Sequence, residues 1–182
     1  MAARARLSRY YTIGHSTHEL AHFVELLRAA GARYVADVRT LPRSRTNPQF
    51  NADVLPGALK AASIGYEHIA ALGGLRSRQR HVAEDTNAFW QNASFHNYAD
   101  YAMGDAFAAG LARLRELALQ VPTAVMCAEA LCWRCHRRII ADYLLSAGEP
   151  VAHIMADGSV VEARLTPAAR RAGAALVYPH SA

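Results

Sequence analysis

Apolar positions along the chain follow two alternating patterns. Short, nearly unbroken apolar runs at Tyr10 to Gly14, Tyr34 to Val38, Thr123 to Cys127 and Val151 to Met155 have the length and composition of buried strands. Between them lie segments of helical period. Leu20, Phe23, Val24 and Leu27 recur at i, i+3, i+4 and i+7, and Ser16 with Glu19 spells an S-x-x-E capping box, which predicts a helix starting just after the first strand. Phe107, Leu111 and Leu114 form a second apolar stripe ahead of Pro122, and Ile139, Ile140, Tyr143 and Leu144 form a third that stops at Gly148. Strands separated by amphipathic helices predict an α/β sheet with crossover connections.

The middle of the chain, from about Leu41 to Ala102, is broken by Pro42, Pro48, Pro56, Gly73 and Gly74 and reads as an irregular insertion. A helix around Leu55 to Ser63, a short strand at Tyr66 to Ile69 and a helix opening at FHNYADYAM fit inside it. After Ala156 a short strand at Val160 to Leu165 is followed by a tail, about residues 166–182, in which no element is legible. With no repeat and no low-complexity linker, 182 residues that are 52% apolar are expected to form one domain.

Charge adds a preference for anions. The net charge is +5, and Lys60 is the only lysine among 20 basic residues, so the positive groups are almost all guanidinium forks suited to phosphates and carboxylates. The N-terminal MAARARLSRYYTIGHS lacks the apolar stretch of a signal peptide, and no later run is long enough to span a membrane, so a cytoplasmic protein without a membrane partner is expected.

Candidate chemistry sits where the strand-like runs end. Three of them finish in polar clusters: Gly14-His15-Ser16, Asp37-Val38-Arg39 and Cys127-Ala128-Glu129. In an open parallel sheet, ligands bind beyond the carboxyl ends of strands, and helix N-termini there offer free N–H groups to anions. Taken singly, each cluster has a structural explanation as well, such as a cap at Ser16 or an ion pair between Asp37 and Arg39.

The segment MCAEALCWRCHRRII holds all three cysteines. Cys132, Cys135 and His136 spell the C-x-x-C-H of haem attachment, Cys132 and Cys135 spell a redox pair, and the thiols with His136 are zinc-ligand types. Haem attachment follows export and does not suit a cytoplasmic chain. A strand ending at Cys127, a loop and a helix near Cys135 also resemble the layout of cysteine phosphatases and sulfurtransferases. The arginine that phosphatases need falls at position 133, which is Trp. The VADVR string resembles a rhodanese strand and keeps sulfurtransferase-like cysteine chemistry open as a further alternative.

Together, YTIGHSTHELAHFVELL, VADVRTLPRSRTNPQFN, GYEHIAALGG, FHNYADYAM and the CAE…CHR segment resemble the domain of unknown function 488 family from about Tyr11 to Ile154. The resemblance implies a Rossmann-like, three-layer α/β domain with a mostly parallel sheet and brings no established activity. Its recurring positions correspond here to Gly14, His15, Ser16, Asp37, Arg39, Pro42, Ser44, Phe50, Leu72, Gly73, Gly74, Cys127, Glu129, Cys135, His136 and Arg137. Cys132 falls outside them, so the C-x-x-C-H string is a coincidence of this chain. Without Cys132 the zinc set shrinks to Cys127, Cys135 and His136. Adjacent Cys and His on one helical turn are expected to point apart. No metal or cofactor is therefore expected, with zinc the only candidate.

These readings converge on an enzyme working at the carboxyl edge of the sheet on an anionic, nucleotide-like or nucleic-acid substrate. His15, Asp37, Cys127, Glu129, Cys135 and His136 are the candidate catalytic groups, and Gly14, Ser16, Arg39, Ser44, Gly73, Gly74 and Arg137 the candidate ligand-binding positions. Arg43, Arg45, Arg76, Arg78 and Arg80 are candidates to meet a phosphate backbone, Phe89, Phe95, Tyr98 and Tyr101 to stack on a base or pack in the core, and Trp133 to sit at the pocket mouth. The alternative is a module that binds nucleotide or nucleic acid and breaks no bond.

Overall fold

A computed structural model of the protein describes residues 9–180. Its main strands are β1 (Tyr10–Gly14), β2 (Tyr34–Asp37), β3 (Gly65–His68), β4 (Thr123–Cys127), β5 (Val151–Ile154) and β6 (Val160–Glu162). They form one sheet in the order β3-β2-β4-β1-β5-β6, parallel throughout except for β6, which runs antiparallel to β5. Successive residues of a strand serve opposite cores. Tyr10, Ala36, Val125 and Val151 face one, while Tyr11, Ile13, Val35, Ala124, Met126 and Ile154 face the other. Burial on both faces is why these strands read as apolar runs rather than as alternating patterns.

Helices α1 (Leu20–Ala30) and α2 (Leu55–Ala61) cover one face with Phe23, Leu27, Leu55 and Leu59. Helices α3 (Ala93–Ala102), α4 (Asp105–Gln120) and α5 (Arg137–Ser146) cover the other with Tyr98, Phe107, Leu114, Ile140 and Leu144. Each of these fully buried side chains is worth about 1.5–3 kcal/mol of transfer free energy. The result is the three-layer, Rossmann-like α/β architecture expected from the sequence.

The order of strands places the crevice. From β1 the chain crosses through α1 toward β2, whereas from β4 it crosses through α5 in the opposite direction to β5, with the two helices on opposite faces. The crossovers from the neighbouring strands β1 and β4 therefore leave in opposite directions, which marks the topological switch point where open α/β sheets take their ligands.

Two local expectations are corrected, and a third position is settled. The capping box does not form: α1 is preceded by Glu19 with no side-chain cap, and Ser16 lies in a turn at φ 45°. The five residues between β1 and α1 carry that turn, which turns Ser16 toward the crevice. The tail does contain structure, a hairpin of β7 (Arg170–Ala172) and β8 (Ala175–Val177). Tyr178 fastens it by donating to the Asp142 carboxylate at 2.9 Å, and Tyr143 by accepting from the Leu176 N–H at 3.0 Å. Its strands are too short to show a period. In the middle insertion, Tyr98 and Tyr101 belong to the packing, donating to the carbonyls of Leu72 and Ala71.

Candidate functional site

The loops after β1 and β4 are zipped together beyond the sheet. Gly14 pairs with Cys127 in register, then the His15 N–H donates to the Cys127 carbonyl at 2.9 Å and the Ser16 N–H to the Ala128 carbonyl at 3.0 Å. A Cβ at Gly14 would collide with the Glu129 carbonyl, so the close approach of the two loops requires glycine there.

The β4 loop returns through a single 3-10 turn at Cys132–Arg134, and Cys135 is extended (φ −132°, ψ 149°) before α5 begins at Arg137 with His136 in the capping position. Cys135 and His136 are thus not successive residues of a helix, and the expected divergence is corrected. The backbone bends between them, and the Cys135 Sγ and His136 Nδ1 atoms stand 3.5 Å apart. Cys127 joins them from the end of β4, all three ligand-type atoms lying within 4.8 Å of one another. Cys132 is outside this group.

Partners fix the electronics of the cluster. His136 Nε2 donates to the Val38 carbonyl at 2.9 Å, leaving the Nδ1 lone pair toward the thiols. The Cys127 S–H donates to Cys135, and this bond, with the Arg137 guanidinium, holds the Cys135 thiol well below its ordinary range against the effect of burial. The same bond together with burial pushes Cys127 up.

Arg137 is 1% exposed; its Nε donates to Cys135 Sγ at 3.3 Å and its Nη2 to the Glu129 carbonyl. It braces the loop from behind and does not line the cavity, so its expected role as a ligand clamp gives way to support of the thiol.

At the end of β2 the polar groups are turned on one another. Asp37 is fully buried and accepts from the Arg39 backbone N–H (3.1 Å), Nε (2.9 Å) and Nη2 (2.6 Å) and from the Tyr66 hydroxyl (2.7 Å). Arg39 Nη2 also donates to the Phe50 carbonyl at 2.7 Å. Only the Nη1 side remains, and it meets His15 Nε2 at 3.3 Å. His15 stacks on Phe50 and donates from Nδ1 to the Ser16 carbonyl at 2.9 Å, so both ring nitrogens are engaged. Burial lowers its pKa to about 4, with Arg39 adding to the effect, and the ring is neutral near pH 7. Asp37 does not reach the cavity.

That cavity, of about 770 Å³, opens at the carboxyl ends of β1, β2 and β4. Cys127, Cys135 and His136 form part of its floor with His15 and Arg39, and Ser16, Ser44, Gly74 and Glu129 contribute to its walls. Gly73 lies just behind, against Thr40, and a Cβ at Gly74 would collide with His136 Nδ1. Glu129 is exposed and accepts from the Leu131 N–H at 3.4 Å. Two rim arginines, Arg43 and Arg134, have no side-chain hydrogen bond or ion pair among the described residues.

A family model described as a domain of unknown function, DUF488, matches residues 19–144, over two thirds of the chain. The chain belongs to the DUF488 family. No curated protein and no solved structure matches it. The DUF488 match takes in Asp37, Arg39, Cys127, Glu129, Cys135 and His136 and leaves the Gly14-His15-Ser16 turn just outside.

Several sequence candidates lie elsewhere. Trp133, expected at the mouth of the pocket, instead lines a separate groove of about 710 Å³ with Cys132, Arg138, His153 and β6. Arg76 is a strut, donating to the Gly73 and Ala70 carbonyls and stacking on Tyr101, and Arg78 pairs with Glu84 at the surface. Phe95 lines the cavity but also stacks on Trp90. Thr17, Thr40 and Arg134 line the cavity without having been singled out; the signal for the two threonines is adjacency to the polar strand ends, and for Arg134 its place beside Cys135.

Proposed function

We propose that the crevice is the active site of an enzyme acting on an anionic, nucleotide-like substrate. The observation that carries this reading is the pairing of a converged Cys127, Cys135 and His136 floor with two arginines, Arg43 and Arg134, on the rim of the same cavity that have no side-chain partner among the described residues. A floor of sulfur and imidazole favours chemistry, while cationic rim groups with no partner among the described residues favour an anionic ligand. A volume near 770 Å³ suits a nucleotide-sized ligand, and a nucleic acid would enter only by an end or a flipped base.

Within this reading Arg43 and Arg134 bind the anionic group. Ser16 and Ser44 add hydrogen-bonding hydroxyls, and Glu129, exposed at the mouth, moves a proton. Arg39 and His15 support the floor instead of gripping substrate, because their polar atoms are already taken.

The test is a panel of nucleotides and short oligonucleotides assayed for binding and turnover with the unsubstituted protein and Glu129→Gln. The expected result is turnover of at least one nucleotide, lost in Glu129→Gln while binding persists. Salt-sensitive binding without turnover across the panel would replace the enzyme by a binding module.

A further inference from the structure

We infer that Cys127, Cys135 and His136 form a zinc site whose fourth coordination position opens into the crevice. Tetrahedral zinc, with bonds of about 2.3 Å to sulfur and about 2.0–2.1 Å to imidazole nitrogen, sets a sulfur-to-nitrogen edge of about 3.6 Å. The Cys135 Sγ to His136 Nδ1 separation is 3.5 Å. Cys127 Sγ lies within 4.8 Å of both, so closing the set around an ion needs only side-chain adjustment.

Three further features fit a metal better than a merely packed trio. The His136 Nε2–H bond to the Val38 carbonyl orients the ring and commits Nδ1 to act as acceptor or ligand, the arrangement by which metal-bound histidines are held. Arg137 Nε directs a hydrogen bond at Cys135 Sγ from the side away from the cavity, as outer groups do at zinc-bound thiolates. Gly74 faces His136 Nδ1 with no side chain, and a Cβ there would occupy the space against the ligand atom.

All three ligand residues line the crevice, so protein closes one side of the ion and leaves the other to water or substrate. Two cysteines, one histidine and an open position make a catalytic type of zinc site, distinct from a closed four-ligand structural one. Two thiolates neutralise the dication, and the rim arginines remain for an anionic ligand.

Zinc and cobalt alone serve as probes. The whole chain, stripped by a chelator and kept reduced, is titrated with Co²⁺ and then competed with Zn²⁺, with no substrate present. The expected result is one cobalt per chain with sulfur-to-cobalt charge-transfer absorption and a tetrahedral ligand-field spectrum, displaced by zinc. Cys132→Ser should leave the spectrum unchanged, while Cys135→Ser or His136→Gln, each checked for folding by circular dichroism, should weaken binding at least about 100-fold. Absence of the charge-transfer band at one equivalent in the unsubstituted chain overturns the site without recourse to any variant. A band that survives Cys135→Ser or disappears in Cys132→Ser also overturns it. Because no substrate is used, intact metal binding with no turnover would count against the proposed enzyme and leave the zinc site standing.

Discussion

The ends of β2 and β4 look alike as sequence, each an apolar strand finishing in groups able to do chemistry, yet the fold uses them in opposite ways. Asp37 and Arg39 satisfy each other, Tyr66 and Phe50 close the network, and nothing of Asp37 reaches the crevice. Cys127, Cys135 and His136 are braced from behind by Val38 and Arg137 and line the crevice. Strand position is the same in both, so what separates a structural network from a candidate site is whether the groups it gathers line the crevice.

The largest way to break this contrast is at Asp37. Asp37→Ala removes the carboxylate that accepts three bonds from Arg39 and one from Tyr66, leaving a guanidinium that is 5% exposed without its counter-charge. Loss of one partner from a buried pair costs about 3–5 kcal/mol. Urea unfolding should show that loss for Asp37→Ala, whereas Glu129→Gln, on the exposed side of the crevice, should stay within about 0.5 kcal/mol of the unsubstituted chain. Equal stabilities for the two variants would erase the distinction.

Acid sharpens it next. Burial lowers the pKa of His15, and that of His153 on β5, from 6.5 to about 4. Between those values the unfolded chain takes up protons that the folded chain refuses, so stability is complete above about pH 6.5 and falls as the pH drops toward 4. For His15, which is 2% exposed, the full span corresponds to about 3 kcal/mol. Urea midpoints measured between pH 7 and 4.5 should fall, and His15→Gln should flatten the slope even where it lowers the plateau; an unchanged slope would place the acid sensitivity elsewhere.

Gly74→Ala comes third, because its Cβ would meet the His136 ring at Nδ1, a position where the neighbour must give way. Overpacking of this kind costs about 1–3 kcal/mol. Cobalt titration should show weaker binding than in the unsubstituted chain, with the melting temperature lowered by a few degrees. Undiminished metal binding would mean that the ring has room to move and that the space at Nδ1 does not depend on glycine.

Much of this was legible in the sequence. The apolar runs gave four central strands to within a residue, because strands buried on both faces carry an unbroken signal. The polar strand ends at His15, Arg39 and Cys127 line the cavity, whereas Asp37 does not. Three things did not show. The S-x-x-E string at Ser16 matched a capping box, but the loop zipped to Ala128 takes the backbone through φ 45° and overrides the local preference. The convergence of Cys135 with His136 depends on a bend one residue before α5, and adjacency alone cannot distinguish that bend from a helical turn. Arg39 and Arg134 carry the same charge on paper; only the buried Asp37 beside one and the lack of a partner beside the other separates them.

That last difference yields the smallest effect on stability and the clearest separation of roles. Arg43 and Arg134 are exposed and make no side-chain bond among the described residues, so truncating either to Ala should change unfolding free energy by no more than about 0.5 kcal/mol. Their charge, however, stands on the rim where an anion would arrive. Affinity for a bound nucleotide should fall by about tenfold per arginine, matching the about 1.4 kcal/mol expected for one charge-assisted contact, and the dependence on salt should become shallower. Calorimetric titration at two salt concentrations reads both quantities. Arg39→Ala should show the reverse pattern, a large loss of stability, because its guanidinium is committed to the fold before any ligand arrives. If Arg43 and Arg134 behaved like Arg39, losing stability together with affinity, the rim would be part of the scaffold and the anion would have to be held by the floor itself.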